Sequence, residues 1–302
     1  MRIIFYGTPE FAVASLQKIV ENGFNVIAVV TAPDKPAGRG MQLQQSAVKQ
    51  YALTQNIPVL QPVNLKASEF SDQLRSLKPD LGIVIAFRML PEKVWNFPPM
   101  GTFNLHASLL PDYRGAAPIN RAIMNGEPTT GVTTFFLKHE IDTGNILMQK
   151  EVKIEEDDDA GTLHDKLMTI GAELVLETLK KIKKGNYTTH PQVELPHLHH
   201  APKIFKDDCE INWKFSLDTV HDHIRGLSPY PGAFTFYQEK TIKIFTGHFE
   251  LVPIPEPGIF EITTGKLFRI SATNGWYYPA WVQPEGKRKM PVQDFVNGLK
   301  II

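Results

Sequence analysis

The chain has 302 residues, 42% of them hydrophobic and 21% charged, the balance of a soluble globular protein with room for one large domain or two ordinary ones. Its 32 basic residues cancel its 32 acidic ones, which argues against a protein that binds nucleic acid non-specifically through bulk charge. The single cysteine, Cys209, rules out an internal disulfide and fits a reducing compartment. The apolar run Ile3–Gly7 is too short for the core of a signal peptide and no run approaches a membrane span, so a cytoplasmic protein is expected.

In chain order, residues 2–7 read as a buried strand. A helix follows from Pro9, with Val13, Leu16 and Val20 on one face. Residues 25–31 are a second strand, 46–56 a helix, 57–61 a short strand and 68–78 another helix. Residues 81–87 are apolar on both faces and read as a central strand; 102–106, 131–137 and 145–154 follow as strands. The alternation predicts an α/β domain: an open, mostly parallel sheet with helices on both faces. Residues 161–184 are the clearest helix, with Leu163, Leu167, Ile170, Leu174 and Ile182 on one stripe, acids before it and lysines at its end, as a helix dipole favours. Residues 186–206 lose periodicity and gain prolines, and read as a linker. The remainder reads as short β segments separated by turns, a small barrel or sandwich. The expected division is residues 1–186, a linker at 187–206, and 207–302.

The densest polar run lies at 102–122, where Asn104, His106, Ser108, Tyr113, Arg114 and Asn120 cluster beside glycine and proline. Residues two apart on a strand share a face, about 6.6 Å apart, and ligands of open α/β sheets bind beyond the carboxyl ends of strands. The amide of Asn104 can donate to a developing oxyanion, and the imidazole of His106 can move a proton. From spacing alone, the same pair could equally cap the turn that follows. Asp142, in a loop before Thr143 and Gly144, can orient that imidazole, although Asp-x-Gly is also an ordinary turn. Several chemistries are disfavoured. The first turn, with Gly7 alone, lacks a dinucleotide fingerprint. Ser108 lacks a nucleophile elbow. Cys209 sits beside acids that oppose a thiolate. His197, His199 and His200 lie in the linker with no cysteine or carboxylate at ligand spacing, and read as exposed histidines.

Charge is uneven locally. No acid lies between Asp34 and Glu69, a stretch holding Lys35, Arg39, Lys49 and Lys66, and lysines dominate 180–206. These are either two solvated faces or two patches that together meet a polyanion.

Taken together, Asn104-Leu-His-Ala-Ser-Leu-Leu-Pro-Asp-Tyr-Arg-Gly115 and Asp142-Thr-Gly144 resemble the two signatures of the enzymes that transfer a formyl group from 10-formyltetrahydrofolate to an amine. The resemblance implies a Rossmann-like catalytic domain and an oligonucleotide-binding (OB-like) C-terminal barrel. It implies a catalytic trio of Asn104, His106 and Asp142. It also implies a folate site lined by Ser108, Leu109, Leu110 and Pro111 and bordered by Phe87, Arg88 and Leu90. Arg88 stands where the family usually has glycine. Residues 33–40, 114–123, 226–234 and 286–290 resemble blocks of the branch whose acceptor is methionyl initiator tRNA. That branch implies tRNA contacts from Lys35, Arg39, Lys203 and Lys206. The folate is a consumed cosubstrate, with no permanently bound cofactor, no metal, no membrane association and a monomer expected. A formyltransferase acting on an amino sugar nucleotide would share the trio without needing Arg39 or the linker lysines. A non-catalytic RNA-binding protein would need neither Asn104 nor His106.

Overall fold

The computed structural model describes residues 1–37, 42–193, 196–254, 256–263 and 265–299. These fall into two compact units: residues 1–115, 131–152 and 164–200 in one, and 116–130, 153–163 and 201–302 in the other.

In the first unit a seven-stranded sheet is built from β1 (Arg2–Gly7), β2 (Asn25–Val30), β3 (Val59–Leu60), β4 (Leu81–Ile85), β5 (Thr102–His106), β6 (Thr129–Phe136) and β7 (Ile146–Lys153), in the order β7-β6-β5-β4-β1-β2-β3. The strands from β5 to β3 pair in parallel, and β6 turns antiparallel on β5. Every residue of β4 is buried because helices cover both faces of a parallel sheet. Gly82 allows the close approach of β5, since a Cβ there would collide with the Thr102 side chain. The helix α1 (Glu10–Glu21) buries Phe11, Ala12, Ser15, Leu16 and Ile19; of the expected stripe only Leu16 is fully buried, while Val13 and Val20 are half-buried at its edge. The central strand ends at Ile85, two residues short of its expected end, because Ala86 turns into the left-handed region at φ 46°.

The long helix at Ala160–Lys184 starts on a reciprocal cap. Asp159 Oδ1 accepts from the Thr162 amide at 2.9 Å while Thr162 Oγ1 accepts from the Asp159 amide at 2.9 Å. The acidic run therefore serves the helix start.

In the second unit an antiparallel sheet runs β8 (Ala233–Tyr237), β9 (Lys240–Leu251), β12 (Gly275–Pro284), β11 (Phe268–Ala272) and β10 (Phe260–Ile262), with β13 (Met290–Pro291) added to β12. Register shifts between Ile244 and Gly247 curl the long β9–β12 pair. The sheet closes over Trp213, Phe268, Ile270, Tyr277 and Val282. The β segments are as expected, but this stretch also holds two helices that short β segments alone did not predict, Leu217–Gly226 and Val292–Gly298. The first has the helical signature: Ser216 caps it by accepting from the Thr219 amide, and Leu217, Val220 and Ile224 recur at three- and four-residue spacing and are buried. It packs on Pro118–Met124, where a Cβ on Gly226 would meet Met124 and where Asn120 Nδ2 donates to the Gly226 carbonyl at 2.8 Å. Asn120 is thus a structural residue. No helix among the described residues is long and apolar enough to cross a membrane.

His221 and His223 lie on this same helix, and burial pushes both imidazoles below the ordinary histidine range, with Arg225 and Arg121 respectively adding to the depression. The folded unit therefore holds them neutral, while the unfolded chain protonates them near about pH 6.5. Their contribution to stability is complete above that pH and is lost as pH falls from there toward the folded-state values. Denaturant midpoints should drop between about pH 7.5 and 5.5, and His221→Phe combined with His223→Gln should flatten that dependence. An unchanged pH slope in the double variant would contradict this assignment.

Candidate active site

The sheet delivers Asn104 and His106 to one face at the carboxyl end of β5, where their neighbours across β6 are Phe135 and Thr133. His106 is 7% exposed. The amide of half-buried Asn104 makes no hydrogen bond to any described residue, so its donors are available to a bound molecule.

The imidazole is held at one nitrogen and open at the other. His106 Nε2 lies 2.8 Å from the Tyr113 carbonyl oxygen. A carbonyl can only accept, so Nε2 carries the hydrogen in the neutral ring and the lone pair falls on Nδ1. That Nδ1 faces Asp142 Oδ2 at 3.9 Å. Two acceptors facing each other cannot bond directly; a proton arriving on Nδ1 turns the gap into a charge-assisted pair. The carboxylate is oriented by the Gly115 amide, which donates to Oδ2 at 3.1 Å. Asp142 itself sits at φ 55°. Two residues later, a Cβ on Gly144 would run into the Phe136 carbonyl oxygen, so the turn can press against β6 only because that position is glycine.

The turn after His106 is fixed from within. Ser108 is fully buried; its Oγ donates to the Asp112 carbonyl at 2.6 Å, and its own carbonyl accepts from Thr133 Oγ1 at 2.6 Å. Thr133 Oγ1 also accepts from the Leu110 amide at 3.1 Å, and Gln149 Nε2 donates to the Leu110 carbonyl at 2.8 Å. Leu110 is buried and joined to Pro111 by a cis peptide bond, while Leu109 and Pro111 are half-buried. Gly131 makes room for Leu109, whose Cγ would lie 2.9 Å from a Cβ placed there.

Phe87 packs against Tyr6 with ring centroids 6.0 Å apart. Arg88 lies over Phe87 and donates to the carbonyls of Pro62 and, at 2.9 Å, Val63. The Arg88 guanidinium is thus tied to the neighbouring 62–63 loop. Leu90 is buried in the core below.

Among the cations, Lys35, Lys203 and Lys206 are exposed, and Lys203 Nζ stands 5.5 Å over the ring of exposed Phe205. Arg39 lies outside the described residues. Lys49, read as part of the same basic stretch, is spent on Asp34 at 2.5 Å and on Gln61 at 2.9 Å. The hydrogen bonds from Lys49 and Gln61 hold the Asp34 carboxyl below its ordinary value. His197, His199 and His200 are exposed, and among the described residues no group of three His, Cys, Asp or Glu is arranged to hold a metal ion. Burial and Asp208 push the Cys209 thiol up, away from a reactive thiolate.

Sequence reasoning missed Gln192. It lies in the segment read as linker, yet its side chain reaches the Asp142 turn and Arg114. Only the contact partners, far away in sequence, mark it out.

The chain belongs to the formyl transferase family. Residues 1–179 match the formyl transferase domain and residues 203–300 match the formyl transferase C-terminal domain. Its relatives include the methionyl-tRNA formyltransferases of Bacteroides fragilis, 48% identical with 100% of this chain and 96% of that protein covered, and of Flavobacterium johnsoniae, 47% identical with 99% and 96% covered. Among solved structures, WlaRD, a sugar 3N-formyl transferase, superposes with TM-score 0.69 at 24% identity, covering 95% of this chain and 99% of that one. HypX from Aquifex aeolicus in complex with tetrahydrofolic acid superposes with TM-score 0.68 at 20% identity, covering 99% of this chain but 47% of HypX. At these identities the two structures establish the shared fold.

The neutral His106 side chain should carry its hydrogen on Nε2. Nitrogen-15 imidazole spectra of the protein at alkaline pH should show a protonated Nε2 and a bare Nδ1; the reverse tautomer would contradict the Tyr113 hydrogen bond.

Proposed function

We propose that the chain transfers the formyl group of 10-formyltetrahydrofolate to the free α-amine of methionyl initiator tRNA, giving N-formylmethionyl-tRNA and tetrahydrofolate for translation initiation in the cytoplasm. The observation that carries this reading is full-length identity near one-half with proteins named methionyl-tRNA formyltransferase, 48% over the whole chain in one case. The geometry at β5 supports the chemistry.

The neutral amine attacks the formyl carbon, and the carbonyl becomes an oxyanion that accepts from the unengaged Asn104 amide. The amine nitrogen must then lose a proton. His106 takes it at Nδ1, where Asp142 stabilises the resulting imidazolium across the 3.9 Å gap. The tetrahedral centre collapses, the C–N bond to the folate breaks, and the proton passes to the departing folate nitrogen. One N–C bond forms, one breaks, and one proton moves from amine to folate.

In this account residues 1–186 form the catalytic domain, with the folate lying along the 108–111 turn. Ser108 and Leu110 are buried, so the turn offers its backbone together with Leu109 and Pro111. Phe87 supplies an aromatic wall, Leu90 backs it, and Arg88 holds the adjoining loop. Residues 207–302 and the linker at 187–206 hold the acceptor arm, with Lys35, Arg39, Lys203 and Lys206 meeting phosphates. The protein acts as a monomer and needs no metal or bound cofactor.

The likeness to sugar formyltransferase structures makes an amino sugar nucleotide the competing acceptor. Incubation with 10-formyltetrahydrofolate and, separately, methionyl initiator tRNA, methionyl elongator tRNA, free methionine or an amino sugar nucleotide should give product on the initiator tRNA alone. Product on the sugar nucleotide and none on tRNA would overturn the assignment. Asn104→Ala should lower turnover by about 10²–10³-fold and His106→Ala by about 10²–10⁴-fold. Turnover within a few-fold of wild type in either variant would contradict its role.

A further inference from the structure

We propose that Gln192 is a positioning residue for the reaction, acting through Asp142, and that Arg114 sets the direction in which it acts. The proposal rests on the reading of Asp142 as the partner of His106.

Gln192 Nε2 donates to the carbonyl oxygens of Asp142 at 2.8 Å and Gly144 at 2.9 Å. Its Oε1 accepts from Arg114 Nε at 2.9 Å and Nη2 at 2.6 Å. Each group around this amide has one sense only: a guanidinium donates, a carbonyl accepts. Rotating the amide by half a turn would set donors against donors and acceptors against acceptors and lose all four bonds. Arg114 therefore fixes which end of Gln192 faces the turn.

That turn needs holding. It carries Asp142 in the left-handed region, φ 55°, which few L-residues other than asparagine and aspartate adopt. Gln192 grips its backbone on either side of Thr143, while the Gly115 amide grips the Asp142 carboxylate at 3.1 Å. Arg114 and Gly115 are neighbours, so one short segment directs both the side chain of Asp142 and, through Gln192, its backbone. The chain carrying Gln192 is itself moored. His190 and Ile146 exchange backbone hydrogen bonds at 2.8 and 2.9 Å, immediately beyond the turn. Further along, the His199 carbonyl accepts from the Tyr113 amide at 2.8 Å, and Tyr113 is the residue whose carbonyl holds His106 Nε2. Gln192 thus holds the Asp142 turn directly, while His199 reaches His106 through Tyr113. The 3.9 Å separation is the quantity these contacts control.

The alternative role for these bonds is to pin the linker in place. The two roles part at Gln192→Glu. A glutamate keeps and strengthens the tie to Arg114, but it places an acceptor against the carbonyls of Asp142 and Gly144. Formyl transfer to methionyl-tRNA should be measured for Gln192→Ala, Gln192→Glu, Asp142→Asn and the two double variants with Asp142→Asn, alongside thermal unfolding. We expect Gln192→Ala to lower kcat by about tenfold, the scale of supporting-residue losses, with both KM values within about twofold. Gln192→Glu should lose at least as much while melting no lower than Gln192→Ala. Neither substitution should add to the loss already caused by Asp142→Asn, since coupled residues are not additive. Near-wild-type turnover of Gln192→Glu, or additive losses in the double variants, would overturn the proposal and leave the pin. Wild-type turnover of Asp142→Asn would instead overturn the pairing of Asp142 with His106 on which the proposal stands.

Discussion

The structure turns on a gap of 3.9 Å between His106 Nδ1 and Asp142 Oδ2. It is too long for a hydrogen bond, yet within the range of an ion pair once a proton sits on Nδ1. Burial makes the gap matter. With 8% and 12% of the two side chains exposed, little water would screen a proton placed on Nδ1 or compete for the carboxylate. Every nearby feature bears on that distance. The Tyr113 carbonyl fixes which nitrogen is bare, and the Gly115 amide aims the carboxylate. Gly144 lets the turn press against β6.

The sheet is the reference frame for these parts. β5 is hydrogen-bonded to β4 on one side and β6 on the other, and all of its residues except half-buried Asn104 are buried, so the side chains at its end have little freedom to drift. The antiparallel β6 contributes Thr133, whose hydroxyl holds the Ser108–Leu110 turn at two points. Asn104 is the exception in this region. Among the described residues its side-chain amide has no hydrogen-bond partner, which leaves its donors available to a bound molecule.

Much of the first unit could be read in the sequence because its strands are near-continuously apolar and its helices keep a clean period. The ends of elements were less legible: nothing in Leu-Gly-Ile-Val-Ile-Ala-Phe says that Ala86 adopts a positive φ. The helix at Leu217–Gly226 was overlooked between β segments although its cap and spacing are regular, because a ten-residue helix is short beside the turn signals around it. At the site, residue type and spacing alone left Asn104 and His106 readable as turn caps and Asp142 as an ordinary turn; the resemblance to the formyltransferase signatures is what singled the three out. The supports carry no such mark. Gln192 lies fifty residues beyond Asp142 in an aperiodic proline-containing stretch, and a contact across that separation leaves no local pattern. Tyr113 and Gly115 act through backbone atoms, which residue identity does not encode. Lys49 errs the other way: its charge suggested an anion patch, whereas Asp34 and Gln61 consume it.

In the proposed mechanism Asp142 acts by stabilising the proton on His106 during transfer. The most direct test is the single-turnover rate of formyl transfer at saturating 10-formyltetrahydrofolate and methionyl initiator tRNA, compared between wild type and Asp142→Asn, with the affinity for each substrate measured in parallel. The rate should fall by about 10²-fold or more with both affinities retained, because the lost interaction exists only once the proton has moved. An unchanged rate, or a loss confined to substrate affinity, would contradict it.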